Sequence, residues 1–411
     1  MRFLYTIGIY IADFFLKIIA LFNHKLKLGV EGRAKTFSIL KNSISDDERT
    51  FWFHCASLGE YEQGLPVFKE LRKRHLSHKI VLSFFSPSGY EIRKNTDIAD
   101  VVVYLPMDTK ANAKRFLDLV HPELTIFVKY DIWPNYLLEL KKRNSKAILI
   151  SALFRKNQSY FKWYGGLMRR ALSAFEHIFV QNNSSQELLK SINFTETTIA
   201  GDTRFDRVSN QLEQDNYLKF IEEFKGNNLC VVIGSSWPED EELLVKFINE
   251  QVSEKVKYII APHNIKPTQN NNLKSRLQVK TVLFSEKEGK QLSDYSVFII
   301  DTIGLLSNIY SYADIAYVGG AMGTTGLHNI LEPAVFGVPI IIGKNHKKFP
   351  EAQRMINEAG VVSISNYDEL NKSLQDFIEI GGKRMDFGQL NRKYIASHKG
   401  AVVRILDYIR I

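Results

Sequence analysis

Cysteine is scarce in this chain, since only Cys55 and Cys230 occur among its 411 residues. The two residues lie in separate strand-like apolar runs, and their spacing matches no metal-binding motif. A disulfide framework is therefore not expected. The low cysteine content is typical of a protein that works in a reducing compartment.

The chain also lacks low-complexity stretches, helical or collagen-like repeats and like-charged tails. Its charge is unbalanced, because 54 Lys and Arg residues against 45 Asp and Glu residues give a net charge of +9. An excess of basic residues favours anionic partners such as acidic lipid headgroups, phosphorylated substrates or nucleic acid. No recognisable nucleic-acid module accompanies the charge, so we do not expect nucleic acid as a partner. Composition alone leaves open that the charge only aids solubility.

The amino terminus differs from the rest of the chain, because residues 3–22 are nearly all apolar and a basic cluster follows them. A secretory signal peptide would need a basic start and a small-residue cleavage site, and neither is clear. Four polar residues recur at three- and four-residue spacing and would share one helical face: Thr6, Tyr10, Asp13 and Lys17. The pattern predicts a membrane-anchor helix over residues 1–25, lying partly against protein or in the membrane interface. The alternative is an ordinary buried core helix.

Apolar runs of strand length alternate with amphipathic helical stretches from residue 50 onward. A first series of runs covers 50–57, 79–86, 101–108, 124–131, 146–153, 177–182 and 197–201. A second series covers 230–235, 256–261, 280–284, 297–301, 315–319, 339–343 and 361–365. Most runs are apolar throughout rather than alternating. Such strands are covered on both faces, as in parallel α/β sheets.

Two Rossmann-like α/β domains that face a cleft are therefore predicted, over residues 26–203 and 204–411. The polar segment 201–228 separates the two series, and we interpret its start as an interdomain hinge. The last stretch, residues 394–411, is predicted to be helical and can return to pack on the first domain.

The first motif with chemical content runs from His54 to Glu60. It ends a predicted strand, passes through a small-residue turn and opens a helix, which places Glu60 at the carboxyl end of a strand. A carboxylate at a helix N-terminus is stabilised in its ionised form, and such a group is a candidate general base. The alternative is a first-turn Glu that interacts only with the helix dipole.

The second motif is a glycine-rich loop over residues 319–333, placed after a predicted strand and before a predicted helix. Glycines allow the backbone to approach a phosphate, whose charge the helix N-terminus would meet. Glu332, one turn into that helix, is placed to accept hydrogen bonds from a ribose diol. The glycine spacing is not that of a dinucleotide fingerprint.

Four further segments end predicted strands or lie at the hinge. Residues 129–135 contain Lys129, Asp131 and Trp133, for which the plain alternative is a strand end capped by Asp131 with Trp133 in the core. At the hinge, Arg204 can meet a phosphate or carboxylate, or be a surface charge. Residues 301–306 and 262–263 are candidates to line a base or phosphate pocket, although a lone His263 would by default be structural.

These blocks, in this order, resemble the Kdo (3-deoxy-D-manno-octulosonic acid) transferases of lipopolysaccharide synthesis over nearly the whole chain. The most specific elements are His54 with Ser57-Leu58-Gly59-Glu60, Trp133-Pro134-Asn135, Asp301-Thr302 with Gly304, and Gly319-Gly320 followed by His328-Asn329 and Leu331-Glu332. The resemblance implies a GT-B fold and inverting transfer of Kdo from CMP-Kdo without a metal or other cofactor. It also implies lipid A precursor (lipid IVA) as acceptor, at the cytoplasmic face of the inner membrane.

The resemblance also implies roles for particular residues. Glu60 corresponds to the proton acceptor, and Arg204 occupies a family lysine position that stabilises the transition state. The CMP site would comprise Pro262, His263, Ile303, Gly304, Leu305, Asn329, Ile330, Leu331 and Glu332. Lys129 departs from the family, which usually has Glu there, and His263 replaces the commoner Arg. We interpret Lys129 as a catalytic-site cation that holds the Kdo carboxylate or an acceptor phosphate; the alternative is a pair with Asp131 or another nearby acid.

Two other readings stay open at this stage. One is another GT-B nucleotide-sugar enzyme, either a different glycosyltransferase or an epimerase. The other is a catalytically silent, membrane-bound nucleotide-binding protein. A basic aromatic segment suits an anionic glycolipid at a membrane surface, with a solvated helix face as its alternative: Arg155, Lys156, Tyr160, Lys162, Trp163, Tyr164, Arg169 and Arg170.

Overall fold

The computed structural model describes residues 2–409, which divide into two compact units. The first takes in the chain up to Arg207 and the stretch that begins at Lys399, and the second is Val208–His398. The sequence placed the division between residues 203 and 204, with the provision that the last stretch can return to pack on the first domain. In the structure the carboxyl-terminal stretch belongs to the first unit.

The first unit contains a parallel seven-stranded sheet in the order β3-β2-β1-β4-β5-β6-β7. Its strands are β1 (Thr50–Cys55), β2 (Lys79–Phe84), β3 (Val101–Tyr104), β4 (Leu124–Val128), β5 (Lys146–Ala152), β6 (His177–Val180) and β7 (Thr197–Ile199). Its helices are α1 (Arg2–Ala20), α2 (His24–Ser43), α3 (Leu58–Arg74), α4 (Pro87–Arg93), α5 (Lys110–Val120), α6 (Pro134–Lys142), α7 (Gly166–Leu172) and α8 (Asn183–Lys190). The division of the chain falls within α9 (Thr203–Ser209).

The second unit repeats this plan with a parallel sheet in the order β10-β11-β9-β8-β12-β13-β14. Its strands are β8 (Leu229–Ser236), β9 (Val256–Pro262), β10 (Thr281–Leu283), β11 (Val297–Ile299), β12 (Ile315–Val318), β13 (Ile340–Gly343) and β14 (Val361–Ile364). Its helices are α10 (Lys219–Lys225), α11 (Pro238–Glu250), α12 (Pro267–Arg276), α13 (Leu306–Ile309), α14 (Leu331–Ala334), α15 (Pro350–Glu358), α16 (Tyr367–Glu379) and α17 (Gly381–His398). A final helix, α18 (Ala401–Tyr408), follows in the first unit.

Every predicted strand run forms a strand, and most central strands are buried along their length. In the first unit the two faces of the sheet carry separate apolar clusters, one around Trp52 and Phe127 and the other around Phe53 and Ile126. Successive side chains of a strand point to opposite faces, so strands covered on both sides must be apolar at every position. This is the reason for the continuous apolar runs in the sequence.

The carboxyl terminus is not the single helix that the sequence suggested. The chain turns at Gly400, whose φ of +104° is accessible mainly to glycine, and α18 starts at the next residue. The Asp206 carboxylate accepts the amide protons of Gly400 (2.8 Å) and Ala401 (3.0 Å), and thereby caps α18. Ala401 and Ile405 are buried in the cluster that covers α3.

Helix α1 leaves most of its apolar surface exposed and is not a buried core helix. Ala20 is its only buried residue among those described, whereas Phe3 and Phe14 are 75% and 61% exposed. The helix meets the length and hydropathy of a membrane span, a property that some core helices and signal sequences share. Its start is tied to the first unit: Tyr5 donates a hydrogen bond to Asp108 (2.8 Å).

The side of α1 that faces the protein differs from the predicted polar stripe. Thr6 and Asp13 are half-buried, as expected for such a stripe, but Tyr10 and Lys17 are exposed. Lys17 forms the expected i, i+4 ion pair with Asp13 (2.7 Å).

Candidate active site

Glu60 lies at the point where the strand order of the first sheet reverses. Successive strands run from β1 through β2 to β3 on one side and from β4 to β7 on the other, so the topological switch point lies between β1 and β4. Ligands of open α/β sheets bind at the carboxyl ends of the strands at such a point. The turn after β1 leads into α3, and Glu60 occupies the first turn of that helix.

Burial of the Glu60 side chain decides its protonation. The residue is 6% exposed, and its Oε2 atom accepts a hydrogen bond from the Ala56 amide (2.5 Å). Burial raises the pKa of Glu60 to about 7, and the negative charge of Asp131 acts in the same direction. The Ala56 amide and the Lys129 ammonium oppose this rise without cancelling it. The sequence-based view, in which the helix dipole keeps Glu60 ionised, underestimated this desolvation.

A carboxyl group with a pKa of about 7 is well matched to general-base catalysis near neutral pH. It is ionised in a large fraction of molecules, yet basic enough to accept a proton from a reacting hydroxyl.

Asp131, beyond the end of β4, forms hydrogen bonds with two aromatic side chains near the turn after β1. Its Oδ2 atom lies 2.6 Å from Nε2 of the fully buried His54 and accepts the indole proton of Trp133 (2.7 Å). On the other side of the imidazole ring, Nδ1 lies 2.8 Å from the hydroxyl of Ser83. That hydroxyl already accepts the indole proton of Trp52 (2.7 Å), which favours its own proton pointing to Nδ1. The indole N–H of Trp133 also lies 3.0 Å from Nε2 of His54, so Asp131, His54 and Trp133 form one hydrogen-bond network.

This network revises the plain interpretation of the segment after β4. The Asp131 carboxylate binds the side chains of His54 and Trp133 rather than capping the end of β4. Trp133 is half-buried rather than a core residue, and its ring packs against Phe85 with the centroids 4.7 Å apart.

Lys129 has a backbone conformation that few non-glycine residues adopt. Its φ is +71°, in the left-handed region, and its amide donates to the Ile150 carbonyl (2.8 Å). Such strain costs about 1–3 kcal/mol and persists only where the surrounding structure enforces it. The ammonium lies 5.1 Å from the centroid of the Tyr130 ring. Within residues 2–409 no carboxylate forms an ion pair with Lys129, so the alternative of a pair with Asp131 is wrong.

Arg204 is held by its neighbour Asp202 rather than standing as a lone surface charge. Its Nε and Nη2 atoms donate to Oδ2 of Asp202 at 2.9 and 2.7 Å. Burial alone would raise the pKa of Asp202, but the Arg204 guanidinium outweighs burial and the pKa is lowered. Gln63, one turn beyond Glu60 on α3, donates to Oδ1 of the same carboxylate (3.0 Å). The segment that carries Arg204 is therefore anchored to the helix of Glu60.

In the second unit, the predicted CMP-site residues follow three strands of one sheet. Pro262 and His263 end β9, residues 303–305 follow β11, and residues 329–332 follow β12. Because all these strands are parallel, their carboxyl ends lie at the same edge of the sheet. The switch point of this sheet lies between β8 and β12.

Glu332 is oriented by two neighbouring side chains. Its Oε1 atom accepts from the Asn329 amide (3.1 Å), and its Oε2 atom accepts from the Ser307 hydroxyl (3.3 Å). The helix α14 that carries it has only four residues, and Glu332 is its second residue rather than one turn inside. The expected contribution of a long helix dipole to phosphate binding is therefore small here.

Asp240, which the sequence analysis did not single out, fixes the glycine-rich loop. This buried residue of α11 accepts the Gly320 amide proton (2.8 Å) and the hydroxyl proton of Tyr317 (2.8 Å). Gly320 has a φ of +94°, and a Cβ there would meet the Gly326 carbonyl. A buried carboxylate in the first turn of a helix after a small-residue turn was the available signal.

His263 belongs to an aromatic group rather than standing alone. Its ring stacks on Trp237, with the centroids 4.4 Å apart, and lies 4.6 Å from the ring of His328. Burial lowers the pKa of His328 to about 4, so this imidazole is neutral at physiological pH.

The other predicted CMP-site residues differ in exposure. Ile303 and Gly304 are exposed, and nothing approaches the position of a Cβ on Gly304, whose φ is +91°. Leu305 is the N-cap of α13. Ile330 and Leu331 are buried and hold the loop in place.

The described part of the chain, residues 2–409, contains no group of three His, Cys, Asp or Glu side chains arranged to hold a metal ion.

Two doubly wound units in one chain define the GT-B fold class. A solved structure of UDP-GlcNAc 2-epimerase from Neisseria meningitidis has the same fold, with a TM-score of 0.61 and 14% identity over 88% of this chain and 98% of that one. Within this class, residues 31–207 match the family model described as 3-deoxy-D-manno-octulosonic-acid transferase (kdotransferase). Over most of its length the chain is similar to Kdo transferases.

Two curated relatives cover most of the chain, and each bears the name 3-deoxy-D-manno-octulosonic acid transferase. The relative from Aquifex aeolicus is 28% identical over 83% of this chain and 89% of its own length. The relative from Haemophilus influenzae is 25% identical over 92% of this chain and 90% of its own length.

Proposed function

We propose that this protein transfers Kdo from CMP-Kdo to a sugar hydroxyl of a lipid A precursor, lipid IVA. The observation that carries the proposal is Glu60, a buried carboxyl with a pKa of about 7 at the switch point of the unit that matches the Kdo transferase family. The GT-B fold of both units and the curated relatives support it.

In the proposed reaction, the acceptor hydroxyl loses its proton to Glu60 as its oxygen attacks the anomeric carbon of Kdo. The new glycosidic C–O bond forms while the bond from that carbon to the phosphate oxygen breaks. CMP leaves with the electron pair as a phosphate monoester, and attack from the opposite side inverts the configuration. Arg204 stabilises the developing negative charge, so the reaction needs no metal ion.

We assign CMP binding to the second unit, with Glu332 as the acceptor of hydrogen bonds from the ribose hydroxyls. Each oxygen of a carboxylate can accept more than one hydrogen bond, so the two oxygens of Glu332 suit the two hydroxyls of a vicinal diol. The exposed backbone around Gly304 and the His263 ring complete the proposed nucleotide site.

We further propose that the protein works on the cytoplasmic face of the inner membrane. The exposed apolar face of α1 supports this assignment, as do Trp163, which is 91% exposed, and the exposed Arg155 and Lys156. Other members of the basic aromatic segment have structural contacts instead. Tyr160 is buried, and Arg169 donates to the carbonyls of Tyr160 (2.9 Å) and Lys162 (2.8 Å).

Mass spectrometry of lipid IVA incubated with the purified protein and CMP-Kdo tests this function. We expect a product heavier by one or more Kdo residues and an equivalent amount of released CMP, with the Glu60→Gln variant as the inactive control. A protein that leaves lipid IVA unmodified but interconverts UDP-sugars would instead be an epimerase, the activity named for the structural neighbour above. Binding of CMP without any turnover would identify a silent nucleotide-binding protein.

A further inference from the structure

A pocket in the second unit, outside the residues assigned to CMP, is lined by basic side chains. It lies where β12 and the adjacent strand β13 end, because its walls are residues 323–326 of the glycine-rich loop and residues 344–349 after β13. The cavity has a volume of about 540 Å³. Three lysines line it: Lys344, Lys347 and Lys348. We call it the lysine pocket.

The charge of the lysine pocket is not neutralised by its own walls. All three lysines are exposed, and among the described residues none of them forms an ion pair. No acidic residue lines the cavity. The carboxylate of Glu239 packs against Gly323 at its border and offsets at most part of the positive charge. Three like charges on one loop repel one another, so an anion bound among them would relieve that repulsion.

The loop that carries the lysines is fixed to the glycine-rich loop by its backbone and by Asn345. The Asn345 amide group donates to the carbonyls of Gly323 (2.7 Å) and Met322 (3.1 Å), and its backbone amide donates to Ala321 (2.8 Å). The two walls of the pocket therefore form one structure. Its backbone does not need to be ordered when a ligand binds, which lowers the entropic cost of binding.

The position along the sheet indicates which part of a substrate the lysine pocket meets. The residues assigned to CMP follow β11, β9 and β12, whereas the lysines follow β13, on the side of β12 away from β9. A nucleotide bound at the ends of β9 and β12 would thus leave the end of β13 unoccupied. A part of the substrate beyond the nucleoside can then bind there. Both substrates of the proposed function carry such oxyanions, a carboxylate on the donor sugar and phosphates on the acceptor.

We propose that the lysine pocket binds an oxyanion of a sugar substrate, either the carboxylate of the donor sugar or a phosphate of the acceptor, and selects for anionic sugars. This assignment deepens the proposed function and rests on it. Three ammonium groups on one fixed loop provide up to nine N–H donors, the chemistry that recognises carboxylates and phosphates.

The test is a triple variant, Lys344→Met with Lys347→Met and Lys348→Met, in the full-length protein. Methionine keeps the length of the stem and removes the charge. The matched control removes the same number of charges from exposed positions elsewhere in the second unit: Lys280→Met, Lys372→Met and Lys393→Met. We expect the pocket variant, but not the control, to raise the KM for one sugar substrate at least about ten-fold, the scale of a lost charged hydrogen bond.

Three arms distinguish the source of the oxyanion. A raised KM for CMP-Kdo with unchanged affinity for CMP, measured by calorimetry, assigns the pocket to the donor carboxylate. A raised KM for the bisphosphorylated acceptor that disappears with a dephosphorylated acceptor assigns it to an acceptor phosphate. An equal loss of affinity for CMP and CMP-Kdo would place the nucleotide phosphate there and overturn the proposal. Unchanged KM values for both substrates would also overturn it.

A second measurement keeps the lysine pocket testable if the proposed function fails. The rate at which an amine-reactive reagent labels each lysine of the wild-type protein can be followed by peptide mass spectrometry, with and without inorganic phosphate. We expect millimolar phosphate to slow labelling of Lys344, Lys347 and Lys348 several-fold, at the order of magnitude of weak anion sites, and to leave Lys280 and Lys393 unaffected. If phosphate changes the labelling rates of Lys344, Lys347 and Lys348 no more than those of Lys280 and Lys393, the pocket holds no oxyanion, whatever reaction the protein catalyses.

Discussion

The titration of Glu60 yields the sharpest prediction, because two neighbours of opposite charge act on it. The pKa of Glu60 lies at about 7, raised by burial and by Asp131 and lowered by Lys129. If Glu60 must be ionised to accept the proton of the acceptor, kcat/KM rises with pH and levels off above about 7.

Removing either neighbouring charge should move this rise in opposite directions. Asp131→Asn removes a negative charge, so the pKa of Glu60 falls and the acidic limb of the profile moves to lower pH. Lys129→Met removes a positive charge, so the limb moves to higher pH. We expect each displacement to be on the order of half to one pH unit, the scale for a single charge near a partly screened group.

The assay is CMP release under kcat/KM conditions between about pH 5 and 9, the range that brackets the titration. Lys69→Met is the matched control, because Lys69 is exposed on the same helix as Glu60 and its loss changes the net charge equally. A limb that stays in place in both variants would refute Glu60 as the titrating base.

The same shift has a consequence for stability. Folding favours the protonated form of Glu60. The contribution of this side chain to the free energy of unfolding is therefore fully present below its unfolded pKa of 4.5, and it is lost as the pH rises through about 7. The difference corresponds to roughly 3 kcal/mol, at ~1.4 kcal/mol per pH unit. Glu60→Gln removes the base and should lose at least about two orders of magnitude in rate. Because it also removes the buried carboxylate, the variant should unfold at a higher urea concentration than wild type at pH 8. Equal stability of both proteins at pH 8 would contradict a buried, destabilised carboxylate.

Three further perturbations have defined outcomes. Glu332→Ala should weaken CMP binding by about 1–3 kcal/mol, and unchanged affinity in calorimetry would remove Glu332 from the ribose. Replacing Phe14, Phe15 and Ile18 by Ser should reduce binding to anionic vesicles at least about a hundred-fold in flotation, because three exposed apolar side chains are lost; an unchanged melting temperature is the control. Asp240→Asn should destabilise the fold by about 1–3 kcal/mol in urea unfolding, since buried hydrogen bonds are disturbed; wild-type stability would show that the glycine-rich loop holds itself.

Much of the fold could be predicted because the evidence for it is local. A strand covered on both faces requires an apolar residue at every position, so β4 and β9 are visible as continuous runs in the sequence. The predicted strands extend too far where the backbone conformation of a single residue ends the observed strand. The run that begins at Leu124 was predicted to reach Asp131, but the left-handed conformation of Lys129 ends the strand at Val128.

Helices were predicted less well where tertiary contacts set their limits. Residues 394–411 are consistent with one helix in the sequence, yet Gly400 and the cap provided by Asp206 separate α17 from α18. Asp206 lies almost two hundred residues before the helix that it caps, so no local pattern indicates it. In the same way, the polar stripe of α1 was placed by spacing, whereas contact with the first unit selects Tyr5 and Thr6 but leaves Tyr10 exposed.

The sequence alone identifies the chemical groups of the protein and the strand ends at which they lie, because motif order and apolar periodicity are properties of neighbouring residues. It placed Glu60 after β1 and Glu332 after β12. The protonation and orientation of these groups follow from the tertiary packing. The carboxyl of Glu60 has a pKa of about 7 because folding removes water from it and brings up Asp131, 71 positions further along the chain. Desolvation and charge proximity depend on the packing of distant segments, which the sequence specifies only through the fold.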